Sequence, residues 1–377
     1  MTVLIICNGY PSTLEPNIYI FIHRQALALK KAGYNVVILD IDLRSFRWKR
    51  KYGCYFEKYE GIEVYRISFP FVTTMFPRIY KFLNVQIGLK LFDKIIKKVG
   101  KIDLINAHFV KGAGQAAIAI KKKHNKLVVI TEHSSKIMMD CNKLVEQFIP
   151  YYKAADKVIV VSEALKVKLE RYGITCKTIA NVIDTSIFKV IEHGDKNSSF
   201  TYLSVGNLIY RKRFDLTIRA FCKLHEKYKN TNLIIVGEGP LDSQLKLLAE
   251  KLKINSVTFI GGIDNNMMSE LYNKCDCFVL PSDYETFGVV YAEAISCGIP
   301  AIAADNGGSK EIIDERNGLI VPRDDINALY KALEVMYESK SKYNKYKLHK
   351  IIENKFGEMR FVNQIEELYI ELVSRVK

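Results

Sequence analysis

The sequence predicts an α/β fold of two Rossmann-like domains, each a doubly wound parallel sheet, that face each other across a cleft. Three observations support this fold class. The 377 residues exceed what one hydrophobic core usually serves. Short apolar runs alternate with helical patterns along the whole chain, which is typical of parallel strands connected by helices. A polar interval at 189–199 divides this alternation into two blocks.

In the first block, six apolar or β-branched runs predict buried strands. The segment after the first run, IFIHRQALALKKAGY, has helical spacing and ends at Gly33, a residue suited to a helix C-terminus. The opening MTVLIICNGYPS has no basic region or cleavage site, so we expect a buried strand there rather than a signal peptide. The predicted strands are 2–7, 35–41, 62–68, 103–109, 126–134 and 157–162.

The second block resumes the pattern after the polar interval, which we interpret as a linker. The predicted domains are therefore 1–187 and 188–358. The last segment, 359–377, has the spacing of an amphipathic helix, and we expect it to pack back on the N-terminal domain. The predicted strands of the second block are 200–206, 232–239, 257–262, 275–282, 300–305 and 318–322.

Composition excludes two broad classes of protein. No apolar run reaches the roughly 18 residues of a membrane span. The eight cysteines include no C-x-x-C pair, which favours free thiols in a reducing cytoplasm over a disulfide framework.

The net charge of +15 lies entirely in the first half of the chain. Residues 1–185 hold 30 Lys and Arg against 15 Asp and Glu, whereas the remainder holds 26 of each. The aromatic and basic stretches 44–56 and 69–83 favour anionic lipid headgroups as a partner. Solvation of a lysine-rich surface is the alternative. No nucleic-acid recognition motif is present, so we expect no nucleic-acid partner.

The stretch DYETFGVVYAEAIS, 283–296, places Glu285 just before a predicted helix and Glu293 about two turns inside it. Gly288 lets the backbone come close to a ligand, and free N–H groups near Phe287 can hold a diphosphate at the helix N-terminus. Glu293 can accept hydrogen bonds from a ribose diol, and Glu285 from a sugar hydroxyl. The pattern fits an ordinary βα unit with surface acids equally well.

A second stretch, LSVGNLIYRKRFDLTIRAF at 203–221, places three cations before a predicted helix. Arg211, Lys212 and Arg213 follow a strand that ends at Gly206. Cations beside a helix N-terminus can neutralise a leaving diphosphate. A solvated basic turn is the alternative.

Together these stretches closely resemble the family 4 retaining glycosyltransferases, enzymes with the GT-B fold. Glu285 and Glu293 match the family's E-x7-E motif. The resemblance is strong from 200 to 325 and looser before 190. The segments that carry it in the C-terminal half are VGNLIYRKRFD, IIVGEGPL, VTFIGGI, LYNKCDCFVLPSDYETFGVVYAEAISCGIPAIA and DNGGSKEIIDERNGLIVP. Those in the N-terminal half are YPSTLEPNIYIFIHRQALALKKAGYNVVIL, HFVKGAG, ITEHSS, VIVVSEALKVKL and NVIDTSIF.

The resemblance implies a nucleotide-diphosphate sugar as donor, and it implies roles for individual residues. Lys212 would meet the diphosphate, Glu293 the ribose and Glu285 a donor-sugar hydroxyl. Ile263 would offer its backbone to the base. His133 in TEHSS matches the family's cleft histidine near the transferred sugar, although a lone histidine after a strand is more often structural.

The implied catalytic residues are His133, Glu285 and Lys212. The implied donor-binding residues are Asn207, Arg211, Lys212, Ile263, Glu285, Thr286, Phe287, Gly288 and Glu293.

The chain departs from the family pattern at three places. Asn207 stands where the family usually has arginine, and Arg211 is the candidate for the lost charge. Tyr19 stands where the first loop usually has a glycine near the donor phosphate. The family's N-G motif after the last N-domain strand is Asn181-Val182 here.

The resemblance implies no metal and no cofactor. Asp40-Ile41-Asp42 has the D-x-D spacing that other glycosyltransferases use for Mn²⁺ or Mg²⁺, but it lies at the end of the second predicted strand, in the presumed acceptor domain. Cationic side chains and helix dipoles can replace a metal beside a leaving nucleotide.

We therefore expect a cytoplasmic glycosyltransferase, peripheral at the inner face of the membrane, that acts with retention on a lipid-linked acceptor. Its product would belong to cell-surface polysaccharide, such as capsule or lipopolysaccharide. A soluble small-acceptor transferase of the same fold and a non-catalytic nucleotide-sugar-binding subunit are the alternatives.

Overall fold

The computed structural model describes residues 1–46, 50–72, 75–139, 142–192 and 199–374. Parts of the predicted linker (193–198) and of the two aromatic and basic stretches (47–49, 73–74) lie outside the described residues. The chain forms two compact units. Unit 1 comprises Met1–Val182 with Met359–Lys377, and unit 2 comprises Ile183–Glu358.

The sheet of unit 1 has eight strands in the order β3-β4-β2-β1-β5-β6-β7-β8. All neighbours pair in parallel except β3 and β4, so this sheet is mixed rather than purely parallel. The strands are β1 Thr2–Cys7, β2 Asn35–Asp42, β3 Gly53–Tyr59, β4 Ile62–Ser68, β5 Leu104–His108, β6 Leu127–Glu132, β7 Lys157–Val160 and β8 Cys176–Thr178.

Strand β3 was not predicted from the sequence, and it overlaps the end of the aromatic and basic stretch 44–56. A two-residue turn joins β3 to β4, with Glu60 at φ 47° and Gly61 at φ 76°. Two successive positive φ angles suit a tight hairpin between antiparallel strands. The alternating exposure along β3 marks an edge strand, which the search for continuous apolar runs missed.

Helices cover both faces of this sheet. One apolar cluster packs α2 and α3 on one face, and a second packs α1 and the C-terminal helix α15 on the other. The helices of unit 1 are α1 Ile20–Lys31, α2 Pro77–Val99, α3 Gln115–His124, α4 Ser135–Met138, α5 Asn142–Glu146, α6 Ile149–Ala154, α7 Glu163–Glu170 and α15 Glu358–Ser374.

The sheet of unit 2 has six parallel strands in the order β11-β10-β9-β12-β13-β14. The strands are β9 Phe200–Val205, β10 Thr231–Val236, β11 Val257–Gly261, β12 Cys277–Leu280, β13 Ala301–Ala304 and β14 Gly318–Val321. The helices are α8 Phe214–Lys227, α9 Asp242–Lys251, α10 Asn265–Lys274, α11 Val289–Ser296, α12 Ser309–Ile312, α13 Ile326–Glu338 and α14 Lys345–Phe356.

The strand order of unit 2 reverses direction between β9 and β12. The chain builds outward from β9 through β10 and β11, then returns to the other side of β9. Ligands of open parallel sheets bind beyond the carboxyl ends of the strands at such a reversal. A ligand-binding site is therefore expected at the loops after β9 and β12.

Within the described ranges, no helix is both long and apolar enough to cross a membrane.

Candidate functional site

The loops after β9 and β12 bring a lysine and a glutamate together across 73 residues of sequence. Lys212 ends a short 3-10 turn, Tyr210–Lys212, and Glu285 lies in the turn after β12. Lys212 Nζ donates to Glu285 Oε1 at 2.5 Å. Both residues are more than nine-tenths buried. A buried ion pair of this kind holds both groups in one orientation, because each compensates the desolvated charge of the other.

Arg211 reinforces this pairing from the same basic turn. Its Nη1 donates to the Tyr284 carbonyl at 2.8 Å and lies 3.7 Å from Glu285 Oε2. The Arg211 carbonyl accepts from the Asp283 N–H at 2.8 Å. Two positive groups therefore flank one carboxylate, and the two loops are bonded to each other through main chain as well as side chain.

Arg213 does not join this group, although it is next to Lys212 in sequence. Its guanidinium lies 3.3 Å from Asp215, 3.2 Å from Asp283 and in contact with Asp324. The basic stretch thus divides into two cations at the Glu285 carboxylate and one that bonds other acids.

The turn before α11 has little freedom to move. Glu285 N–H donates to the Asn306 carbonyl at 3.3 Å, and the Glu285 carbonyl accepts from Gly308 N–H at 3.1 Å. A Cβ at Gly308 would lie 2.8–2.9 Å from backbone atoms of Glu285 and Phe287, so only glycine permits this approach. Phe287 is buried, and its ring packs edge-on against Phe356.

Helix α11 begins directly after Gly288, which has φ 90° and ψ 55°. This left-handed conformation suits glycine. No side chain caps the helix, and its first turn carries no acid. Its first N–H groups therefore keep their positive potential for an anion. Thr286, in the same turn, is 7% exposed.

Glu293 lies inside α11 and is 5% exposed. Its Oε2 accepts from the Tyr272 hydroxyl, contributed by α10, at 3.4 Å. Glu293 is therefore a buried, oriented carboxylate rather than one of the surface acids of an ordinary βα unit. The two remaining residues of the predicted donor site are less buried than Glu293. Asn207 is exposed, and Ile263, which follows β11, is half-buried.

In unit 1, His133 follows β6 and forms a pair with His108, the last residue of β5. His133 Nε2 lies 2.9 Å from His108 Nδ1, and the rings are nearly parallel. Phe21 and Phe109 pack against the His133 ring, with centroids at 4.6 and 5.2 Å. Burial lowers the pKa of His108 to about 3 and lowers that of His133 well below its ordinary value. Both imidazoles are therefore neutral at physiological pH.

Glu132 positions this histidine pair through the backbone. Its Oε1 accepts from the N–H groups of His133 at 3.0 Å and Ser134 at 2.9 Å. Its Oε2 accepts from Val110 N–H at 3.0 Å and the Tyr152 hydroxyl at 2.7 Å. Burial raises the pKa of Glu132, and these four hydrogen bonds oppose that rise.

Sequence reasoning named neither His108 nor Glu132. Both residues stand in stretches that it quoted, HFVKGAG and ITEHSS. The signal that identifies them is positional, because β5 and β6 are parallel neighbours and their carboxyl ends meet at one edge of the sheet.

Tyr19, at the position where the family resemblance expects glycine, has a backbone conformation that glycine adopts more readily than other residues. It precedes α1 with φ 43° and ψ 39°, in the left-handed region that favours glycine. Its ring lies against Gly9, where a Cβ would meet ring atoms at 3.0 Å, and it packs near Phe109 at 5.3 Å. The departure from the family pattern thus places an aromatic ring against Gly9 and Phe109 in the loop before α1.

The D-x-D carboxylates are occupied by hydrogen bonds and arginines. Asp40 Oδ1 accepts from Gly9 N–H at 2.7 Å, and Asp40 Oδ2 lies 3.3 Å from Arg66 Nε. Asp42 accepts from Arg44 and Arg50, each at 2.8 Å. These carboxylates stabilise the loop after β1 and the edge of the sheet. No group of three or more potential metal-ligating side chains occurs among the described residues.

The buried Asp40 carboxyl leads to a prediction about stability. Burial raises the pKa of Asp40 to about 7, with Asp42 adding to the rise and Arg66 and Arg44 opposing it. The folded chain thus holds a proton that an ordinary carboxyl releases near pH 4. This contribution to stability is complete below about pH 4 and is lost as the pH rises through about 7.

In Asp40→Asn, which keeps an acceptor for the Gly9 N–H, this dependence on pH should disappear. Urea unfolding at pH 4, 5.5 and 7 measures it. Between pH 4 and pH 7, we expect the unfolding free energy of the wild type to fall relative to that of the variant by an amount on the order of a few kcal/mol. Parallel curves for the two proteins would contradict the shift.

Two family models match the chain consecutively and together span residues 20–354. Residues 20–187 match "Glycosyltransferase Family 4", and residues 187–354 match "Glycosyl transferases group 1". The chain belongs to glycosyltransferase family 4. It is therefore a glycosyltransferase of the GT-B type, which agrees with the two α/β units and with the resemblance in the sequence.

Relatives of this glycosyltransferase include characterised and uncharacterised proteins. An uncharacterised glycosyltransferase of Methanocaldococcus jannaschii is 28% identical over 353 residues, covering 85% of each chain. The N-acetylgalactosamine-N,N'-diacetylbacillosaminyl-diphospho-undecaprenol 4-alpha-N-acetylgalactosaminyltransferase of Campylobacter jejuni is 28% identical over 286 residues, covering 71% of this chain and 76% of that protein.

Solved structures share the fold at lower identity. Sucrose-phosphate synthase of Thermosynechococcus elongatus superposes with a TM-score of 0.78 at 20% identity, with 99% of both chains covered. The Anabaena HepE protein in complex with UDP and glucose superposes with a TM-score of 0.73 at 18% identity, covering 97% of this chain and 98% of that one.

Proposed function

We propose that this glycosyltransferase moves a sugar from a nucleotide-diphosphate donor to an acceptor hydroxyl with retention of anomeric configuration. The observation that carries the proposal is the buried Lys212–Glu285 pair beside the uncapped N-terminus of α11. A cation, a carboxylate and free N–H groups converge there, and a sugar diphosphate needs a partner of each kind. The Anabaena neighbour bound to UDP and glucose supports this class of donor.

The donor would be held by residues of unit 2. Its diphosphate binds Lys212 and the N–H groups at the start of α11, and Arg211 supplies the charge that Asn207 lacks. Glu285 accepts from a donor-sugar hydroxyl, Glu293 accepts from the ribose, and the base rests on the backbone at Ile263. No metal is required, because two cationic side chains already stand beside the turn.

The transfer step would take place on one face of the sugar. The bond from the anomeric carbon to the phosphate oxygen breaks, and the acceptor oxygen forms its bond to that carbon. The acceptor proton passes to the leaving phosphate oxygen. A neutral, buried His133 does not serve as the proton acceptor, because its pKa is lowered well below physiological pH.

His133 would instead donate a hydrogen bond to the transferred sugar. One proton lies between the rings of His108 and His133, and the two outer nitrogens, His108 Nε2 and His133 Nδ1, are buried without a partner among the described residues. Each neutral ring carries one proton, so either direction of this hydrogen bond leaves one outer N–H and one bare acceptor nitrogen. Only donation from His108 Nδ1–H to His133 Nε2 leaves the outer N–H on His133, the residue proposed to contact the sugar. We therefore propose that direction, with the free proton on His133 Nδ1.

This arrangement predicts a positioning role for His108. His108→Leu removes the donor to His133 and should lower kcat by about 10-fold to 100-fold with a smaller effect on the donor KM. His108→Asn can place an amide N–H near the original Nδ1 and should recover most of the rate. ¹⁵N spectra of the His133 ring report its tautomer directly. Equal rates in the Leu and Asn variants, or an unchanged His133 tautomer in His108→Leu, would contradict the role.

The acceptor is proposed to be a lipid-linked glycan at the inner face of the membrane, used for cell-surface polysaccharide. The Campylobacter relative, whose name includes a diphospho-undecaprenol acceptor, supports this class. A mycobacterial relative, 33% identical over 138 residues, is named as a phosphatidylinositol monomannoside mannosyltransferase and also supports it.

The proposal is tested in two stages. A thermal-shift screen of nucleotide sugars should find a stabilising donor, because a ligand that binds only the folded state raises the unfolding temperature. Transfer from that donor is then measured to lipid-linked and to free glycan acceptors, and NMR gives the anomeric configuration of the product. Transfer to free glycans alone would indicate a soluble small-acceptor enzyme.

A non-catalytic nucleotide-sugar-binding subunit is the second candidate, favoured by Asn207 and Tyr19 at positions where the family usually has arginine and glycine. It predicts a protein that binds the donor but releases no nucleotide with any acceptor. Donor hydrolysis and transfer assays on the purified chain separate the two candidates.

A further inference from the structure

Six large apolar side chains are exposed within fourteen residues of unit 1. They belong to the segment that leads into α2 and to the first turns of that helix. Their exposed fractions run from 46% to 67%. They are Phe69, Val72, Met75, Phe76, Ile79 and Phe82. With the exposed cations Arg78 and Lys81, they form what we term the 69–82 surface.

These side chains are not the core face of a helix left without its partner. The inner face of α2 is already packed through Tyr80, Asn84 and Gly88. Gly88 lies so close to α3 that a Cβ there would be 2.8 Å from Ala116 Cβ. Phe82 and Arg78 project about half a helical turn away from Tyr80. The exposed apolar residues are therefore additional to the core of unit 1.

The charged residues in the sequence that forms and flanks the 69–82 surface have one sign. The sequence contains no Asp or Glu from residue 64 to residue 92. The cations Arg78 and Lys81 each precede an exposed apolar residue, Ile79 and Phe82 respectively, and both cations are exposed. Aromatic and aliphatic side chains mixed with cations match the chemistry of an anionic lipid headgroup layer, in which rings enter the interface and cations meet phosphates.

The other aromatic and basic stretch contributes less than its sequence indicates. Arg44 and Arg50, two of its five cations, are largely buried and bonded to Asp42. Phe46 is 56% exposed and stacks on Tyr52, and Lys51 is exposed, whereas Arg47 and Lys49 lie outside the described residues. The 69–82 surface is therefore the better candidate for a membrane contact.

We propose that the 69–82 surface docks this protein on an anionic lipid bilayer. The proposal rests on the proposed function, in which the acceptor is lipid-linked. Docking would confine unit 1 to the plane where such an acceptor is found. Each cation near an anionic surface contributes about fivefold to partition, and buried aromatic rings contribute further.

Sedimentation with lipid vesicles tests the docking without any need for catalysis. Vesicles of phosphatidylcholine with phosphatidylglycerol are compared with phosphatidylcholine alone across a salt series. Phe76→Ser/Phe82→Ser should lower partition on the mixed vesicles at least tenfold. Arg78→Gln/Lys81→Gln should lower it by about 10-fold to 30-fold and flatten its dependence on salt.

Matched controls use equally exposed residues elsewhere. Met359→Ser/Ile370→Ser changes two side chains of α15 that are 79% and 59% exposed, and Lys331→Gln/Lys347→Gln removes two exposed cations of unit 2. Both control variants should partition like the wild type. Circular dichroism melts establish that all four variants fold.

Three outcomes would overturn the proposal. The first is equal partition of the wild type into neutral and mixed vesicles. The second is a Phe76→Ser/Phe82→Ser variant that partitions like the wild type. The third is a wild type that binds no vesicles but self-associates as its concentration rises, whereas this variant does not. The last outcome would assign the surface to a second copy of the chain. Transfer to a water-soluble acceptor should be unchanged in Phe76→Ser/Phe82→Ser, so failure of docking and failure of the proposed function are seen in separate measurements.

Discussion

Replacing Lys212 with methionine is expected to lower the rate of sugar transfer by about 10²–10³-fold. The change removes the cation nearest Glu285 and leaves that carboxylate buried without its closest partner. An uncompensated carboxylate beside the phosphate site would also repel the donor, so the donor KM should rise. Steady-state kinetics with the identified donor measures both effects. Thermal unfolding should show a loss of stability of about 3–5 kcal/mol, as for other broken buried pairs.

The double variant Lys212→Met/Glu285→Gln separates catalysis from folding. Removing both charges avoids the uncompensated carboxylate, so stability should return close to that of the wild type. Activity should stay low, because neither the cation nor the carboxylate is restored. Arg213→Gln is the matched control for a neighbouring positive charge, since Arg213 bonds other acids. A Lys212→Met enzyme with wild-type kcat and donor KM would show that the pair is structural only.

Gly308→Ala is expected to lower kcat/KM for the donor by about 100-fold, although residue 308 carries no functional side chain. The added Cβ would lie 2.8–2.9 Å from the Phe287 and Glu285 carbonyl oxygens and the Phe287 nitrogen. Backbone atoms cannot turn aside as a flexible side chain can, so the turn before α11 must shift. That shift would misplace the Lys212–Glu285 pair and the N–H groups at the start of α11.

Gly298→Ala provides the matched control, because Gly298 follows the opposite end of the same helix. Its Cβ would lie 2.7 Å from Lys345 Cβ, and its φ of 87° adds strain. We expect Gly298→Ala to lower the unfolding temperature of unit 2 with a small effect on the donor KM, whereas Gly308→Ala raises that KM strongly. Similar kinetic effects in the two variants would mean that both act through stability rather than through the turn.

Local patterns in the sequence were sufficient to predict twelve of the strands and the glycine before α11. Continuous apolar runs report burial on both faces of a sheet, and a glycine between a strand and a helix reports a backbone that few other residues adopt. Both signals are carried by neighbouring residues, so they can be read without knowing the fold. The two edge strands of unit 1 escaped for other reasons. Strand β3 has no β-branched residue and includes Glu57 and Lys58, and β8 is only three residues long.

Contacts between distant residues could not be read in this way. The sequence shows three adjacent cations at 211–213, but only the packing directs Lys212 to Glu285 and Arg213 to other acids. In the same way, Arg44 and Arg50 turn inward to Asp42 instead of contributing to a basic surface. His108 and His133 meet because β5 and β6 became neighbours. A buried charged or polar side chain must pair with an opposite charge or a hydrogen-bond partner nearby. The order of strands in the sheet decides which partners are near enough.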